Sequence, residues 1–256
     1  MGFAKPEQIA QLAVEAGVKK ANMPLRSQIP LGFAAGAFIA LGFLLAIRVS
    51  AALPAEWGGL NSLLGAAVFP LGLILCLAAG GELLTGNMMA LPMACYAGKV
   101  SVRRWLANWA VITAGNFLGA LYIAYLFGHL GGMTEHGPYL ARTALLARSK
   151  LDEPLGIAFI SGIGCNWLVS SAVWMAYGSK DGAGMIAAVW FPTMAFVALG
   201  FQHVVANMFL LPAAIMAGQA TWLEYARNFV PVYLGNAAGG CLFVAGIYGT
   251  AYLKKD

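Results

Sequence analysis

Apolar residues run along this chain in long stretches separated by short polar connections, near residues 30–52, 60–97, 102–128, 155–178, 184–217 and 229–253. Roughly 20 helical residues cross the ~30 Å of hydrocarbon in a bilayer, so each stretch predicts a membrane-spanning helix. Two of them, 60–97 and 184–217, are longer than one straight span requires, and each holds glycine in its middle and proline towards its end. They read as broken helices, the second and fifth of six. Backbone that leaves the helix at membrane depth is tolerated only where protein buries it or where it lines a wet cavity. The breaks, at 80–86 and 200–206, are therefore the predicted walls of a pathway. Ahead of the first span, residues 6–20 set Ile9, Leu12, Ala13 and Ala16 at helical spacing among charged positions, with Pro6 in a first turn. This predicts a short amphipathic helix against the membrane face, with no cleavable signal before it.

The pattern is written twice. Residues Gly80 to Gly98 and Gly200 to Gly218 share eight identical positions out of nineteen at an offset of 120. The same offset pairs Asn108 with Asn228, and Gly115, Asn116 and Gly119 with Gly235, Asn236 and Gly239. Three spans per half is an odd number, so the second half is expected upside down relative to the first. Inverted repeats of this kind place a pathway at their shared interface. The expected organisation is a single membrane domain over 1–256: an amphipathic segment 1–29, a first repeat 30–128, an outer loop 129–154 and a second repeat 155–256.

Composition sharpens this. The chain is 61% hydrophobic and 10% charged, against about 25% charged in soluble domains, which excludes a soluble fold. The net charge of +5 sits mostly in the connections and sets orientation by the positive-inside rule. With the N-terminus inside, Lys5, Lys19, Lys20, Arg26, Lys99, Arg103, Arg104, Lys180, Lys254 and Lys255 are cytoplasmic, and Arg142, Arg148, Lys150 and Arg227 are outside. Both termini are then cytoplasmic, and the expected location is the inner (cytoplasmic) membrane. No interleaving of basic and aromatic residues suggests nucleic acid. Cys76, Cys95, Cys165 and Cys241 lie in apolar runs without CxxC spacing, so they read as packing residues and suggest neither a metal nor a redox pair.

Two ionisable residues stand at membrane depth, Glu82 in the first break and His203 in the second, where such groups are costly and usually functional. The repeat sets Thr85 opposite His203. Glu82 is read as holding its loop together by accepting backbone N–H bonds, because a carboxylate in the path would repel anions. Asn87 and Asn207 follow the breaks where half-helices begin, and read as N-caps. Two half-helix N-termini aimed at one point form a positive focus suited to an anion.

Three ordered segments resemble the formate/nitrite transporter family: LAAGGELLTG (77–86), GIGCNWLVSSA (162–172) and GFQHVVANM (200–208). The resemblance implies an aquaporin-like, all-helical protomer, one of five in a homopentamer, passing formate, nitrite or hydrosulfide. It also implies a central Thr/His site at Thr85 and His203, a buried Asn166, a vestibule lysine at Lys150, and apolar constrictions at Phe69, Phe196, Leu73 and Leu84. By periodicity alone, Phe69 and Leu73 are packing residues that share a helix face. Two departures stand out. Gln202 occupies the position where many members carry an acid, and Leu84 the position where many carry Phe, which alters the charge beside the histidine and the width of the inner gate.

The expected mechanism is proton-assisted passage. A charged anion pays heavily to enter a dry apolar ring, whereas a neutral acid does not. Lys150 draws the anion in, and Thr85 and His203 hydrogen-bond it while it takes a proton. No cofactor, metal or catalytic residue is expected. The rival readings are passage of nitrite or hydrosulfide through the same pore, a water or glycerol channel, and an intramembrane enzyme. The water channel wants Asn-Pro-Ala at both half-helix starts, where this chain has Asn-Met. The enzyme wants a nucleophile with its base, or HExxH-type ligands.

Overall fold

A computed structural model describes residues 2–253. Lys254 and Lys255, expected in the cytoplasm, lie outside the described residues. Among these the chain forms ten helices: α1 Pro6–Ala21, α2 Leu25–Ala51, α3 Gly59–Gly80, α4 Leu84–Tyr96, α5 Val102–Leu130, α6 Gly137–Leu151, α7 Leu155–Gly178, α8 Gly182–Ala198, α9 Val204–Met216 and α10 Trp222–Tyr252. Five are long and apolar enough to cross a membrane: α2, α3, α5, α7 and α10. The run 184–217 is divided between α8 and α9, neither of which is long enough alone, and α4 completes the run begun by α3. The two expected broken helices are therefore present.

Each break follows from its glycines. Gly80 and Gly200 adopt φ of 93° and 72°, a region that costs an L side chain strain. The chain then runs extended for a few residues before α4 and α9 begin. These half-helices are buried along nearly their whole lengths, whereas Leu118, Ile160 and Leu242 on the long helices face outward.

Segment 129–154, expected as an outer loop, contains α6. Pro138 sits in its first turn, and Thr143, Ala147 and Lys150 form its buried stripe. The sequence hides this helix because it is short and basic, with a buried stripe of only Thr143, Ala147 and Lys150. α1 and α6 thus occupy corresponding places, each leading into a long helix and each ending in a lysine turned inward.

The repeated glycines pack within the chain. A Cβ on Gly119 would lie 1.9 Å from the Phe33 carbonyl oxygen, and one on Gly235 would lie 2.2 Å from that of Phe159. Gly115 and Gly239 meet α2 and α7 in the same way. Backbones that touch like this leave no room for any side chain, so these positions join α2 to α5 and α7 to α10 rather than offering small residues to a neighbouring subunit.

Candidate functional site

The two breaks are tied by matching asparagines. Asn116 accepts from the Leu84 N–H at 2.9 Å and donates to the carbonyls of Gly32 (2.8 Å) and Glu82 (2.9 Å). Asn236 accepts from the Val204 N–H and donates to the carbonyls of Gly162 and Gln202, all at 2.8 Å. Each satisfies a first-turn N–H and a loop carbonyl that the break leaves without helical partners. Asn87 and Asn207 also correspond, but they are not N-caps. The capping positions are Leu83 and His203. Each Asn sits one turn inside its helix and donates across the break, Asn87 to Glu82 (3.1 Å) and Asn108 (2.8 Å), Asn207 to Gln202 (2.7 Å) and Asn228 (2.9 Å).

His203 caps α9 with its ring: Nδ1 accepts from the Ala206 N–H at 3.0 Å. With Nδ1 acting as acceptor, the hydrogen-bond network assigns the ring proton to Nε2. Nε2 lies 3.0 Å from Thr85 Oγ1 at the start of α4. The two half-helices therefore meet through these two side chains, and both are buried. Asn166, fully buried on α7, braces the pair by donating to the carbonyls of Thr85 (3.3 Å) and Asn236 (2.7 Å).

Above the pair stands an aromatic gate. The Phe69 and Phe196 rings meet edge to face with centroids 5.5 Å apart, and Phe196 also stacks on His203 at 5.5 Å. On one side of this gate lies a cavity of about 290 Å³ that reaches His203 and is bordered by Ser50, Arg142, Ser149 and Lys150. On the other side a narrow apolar space is bordered by Ile39, Leu73, Leu83, Val169 and Thr193. Leu83, rather than the expected Leu84, borders this space. Leu84 is buried behind it, with its backbone committed to Asn116. Sequence reading missed Ile39, Val169, Leu83 and Thr193 because each looks like an ordinary span residue, and only the fold turns them to one channel wall.

The flanking charges differ between halves. Glu82 does not hold its loop through backbone N–H bonds; its carboxylate accepts from the Lys20 ammonium at 2.9 and 3.0 Å and from Asn87. Gln202 holds the corresponding place and donates to Glu153 (2.8 Å) and to the Lys150 carbonyl (3.0 Å). The Lys150 ammonium donates to the carbonyl oxygens of Gly200 and Phe201. The chemistry these side chains offer is donation of hydrogen bonds beside an apolar space, next to a cavity bordered by Arg142 and Lys150.

Known proteins are similar to this chain over nearly its whole length. The family described as Formate/nitrite transporter matches residues 7–250. A "Formate channel BtFdhC" of Bacillus thuringiensis is 55% identical over 100% of this chain and 98% of its own length. An "Uncharacterized transporter YrhG" of Bacillus subtilis is 57% identical over 100% and 96%. Among solved structures, an "FNT family ion channel" is similar with TM-score 0.85 and 29% identity, covering 96% of this chain and 98% of that one. A "Pentameric formate channel with formate bound" is similar with TM-score 0.77 and 29% identity, covering 92% and 99%. The chain is therefore a multi-pass membrane protein, not an enzyme, and belongs to the formate/nitrite transporter family of anion channels.

Proposed function

We propose that this protein is a homopentameric channel for small monovalent weak-acid anions, formate first, which pass with a proton beside Thr85 and His203. One observation carries the reading: the only polar contact bridging the two half-helix starts among the described residues, Thr85 Oγ1 to His203 Nε2, stands at the Phe69–Phe196 gate. The similar formate channel of Bacillus thuringiensis and the similar pentameric channel with formate bound support formate as the substrate, and the latter supports the pentamer.

In this reading Lys150 and its cavity attract the anion. The rings exclude water, so a bare charge there is costly. The Thr85 hydroxyl, which receives the His203 Nε2–H, turns its own proton to the anion, which crosses the apolar space once neutralised. Because His203 Nδ1 is engaged as an acceptor, the proton is supplied by water at the cavity and the ring acts as a fixed donor. Nothing beside the pair reads a carbon skeleton, so nitrite and hydrosulfide share the route. The same proposal makes the halves an inverted repeat, with the end bearing Lys19, Arg26, Lys99, Arg103 and Lys180 in the cytoplasm of the inner membrane.

Formate uptake into liposomes carrying the purified pentamer tests this. Flux should rise steadily as external pH is lowered from about 7.5 to 5, the range over which weak-acid protonation grows. Flux independent of pH would contradict proton-assisted passage.

A further inference from the structure

Some hydroxyls inside the helices of this chain bond back to the carbonyl one turn earlier. Ser50 does so to Ala46 at 2.7 Å, Thr113 to Trp109 at 2.7 Å and Thr143 to Tyr139 at 2.8 Å. Thr193, in the middle of α8, does not. It is only 1% exposed, and its buried Oγ1 has no hydrogen-bond partner. A buried polar atom left in this state is destabilising, and a native structure that tolerates one needs a reason.

Its position supplies one. Val189, Thr193 and Phe196 are the buried stripe of α8, and Thr193 borders the narrow apolar space together with Leu73, Leu83 and His203. Every other residue around that space except His203 is apolar. A hydroxyl that ignores its own helix is therefore held against the passage where an acid in transit has fewest partners.

We propose that Thr193 is a third hydrogen-bonding residue of the passage, one that accepts the O–H of a small monobasic oxyacid in its neutral form; this rests on the channel reading above. The chemistry is complementary. The His203 Nε2–H only donates, and Thr85 Oγ1 receives it. A protonated carboxylic acid brings both an acceptor carbonyl and a donor O–H, and at the pair only the one lone pair left on Thr85 Oγ1 is open to that O–H. A second threonine hydroxyl, free of other partners, supplies a further acceptor. Hydrosulfide, whose S–H is a weak donor, gains little from it. Thr193 thus favours oxyacids over sulfide within a pore that otherwise reads no carbon skeleton.

The test compares Thr193→Val, which keeps shape and loses the hydroxyl, with Thr193→Ser, which keeps the hydroxyl. Proteoliposome fluxes of formate and hydrosulfide are measured alongside thermal unfolding. Thr193→Val should unfold at a higher temperature, because an unpaired buried group is gone. Its formate flux should nevertheless fall about tenfold, the worth of one hydrogen bond at the barrier, with hydrosulfide flux little changed and Thr193→Ser close to wild type. A purely structural hydroxyl would give the stabilisation without the loss. Wild-type formate flux in Thr193→Val overturns the proposal and leaves the channel reading intact, whereas a wild-type protein that passes no formate overturns both. If the valine variant does not assemble, Thr193→Ala carries the same two outcomes.

Discussion

In the first break the Lys20 ammonium meets the Glu82 carboxylate; in the second, Lys150 reaches only carbonyl oxygens, and Gln202 stands where the acid would be. The scaffolding around the two is otherwise alike: Asn108 donates to the Lys20 carbonyl at 3.2 Å and Asn228 to the Lys150 carbonyl at 3.1 Å. The difference lies in charge alone. Burial by itself would lower the Lys20 ammonium, but the neighbouring Tyr177 and the Glu82 carboxylate outweigh it and raise it above the ordinary 10.5. For Lys150 burial dominates and pushes it below 10.5, with Cys165 and Glu153 offsetting only part. One frame thus holds a neutral pair at one end and, beside an open cavity at the other, a lysine with no carboxylate bonded to it, to which the proposed reading draws the anion.

The largest way to break this comparison is to strip the first half of its acid. Glu82→Ala leaves Lys20 buried without a counter-charge and should cost about 3–5 kcal/mol of stability, read as a lowered unfolding midpoint. Gln202→Ala, which removes a hydrogen bond from the half-buried Glu153 but leaves no fully buried charge alone, should cost about 1–2 kcal/mol. If the two cost the same, the charge difference is not what separates the breaks. Combining Lys20→Met with Glu82→Gln should restore most of the loss.

Removing the shared frame should instead treat the halves equally. Asn116→Ala and Asn236→Ala each delete a side chain with three comparable hydrogen bonds, and each should cost about 2–4 kcal/mol with similar unfolding midpoints. A large inequality would mean that the breaks are held by different means.

Smaller effects sharpen the electrostatic side. Gln202→Glu recreates the first half's acid beside Lys150 and should weaken formate uptake at low concentration by about threefold, the scale of a partly screened charge, while leaving uptake at saturation near wild type. The smallest effect is in alkaline stability. A lowered lysine pKa means that the unfolded chain binds more protons, so the Lys150 contribution makes stability rise with pH from its folded pKa up to 10.5. For Lys20 the sign reverses: its contribution is full below 10.5 and is lost as pH climbs through its raised pKa. Comparing Lys150→Met and Lys20→Met with wild type over that range should show opposite slopes.

Much of this was legible in the sequence because membranes impose simple patterns. The six apolar runs and the glycine breaks follow from span length and the offset of 120, whereas the meeting of Thr85 with His203, 118 residues apart, was expected from the resemblance and from the two breaks lying opposite each other. The offset itself was only half the story. Gly32 with Gly162, and Lys20 with Lys150, correspond at 130, because α2, α3 and the connection between them are each longer than α7, α8 and theirs. That shift hid the correspondence of α1 with α6, and with it the pairing of Lys20 with Glu82. The roles of Asn87, Asn207 and Leu83 were also hidden, since an Asn at a helix start suits a cap as well as a cross-break donor, and only coordinates separate Leu83 from Leu84. Thr193 gave no signal at all, because a threonine in a span is ordinary until its usual carbonyl partner is seen to be unused.

The most direct measurement is formate flux through liposomes carrying His203→Ala, with pentamer content verified. The account predicts flux about tenfold or more below wild type from fully assembled protein, since one donor in a dry passage is worth at least that. Wild-type flux from assembled His203→Ala would contradict it, and would move the barrier away from the meeting point of the two half-helices.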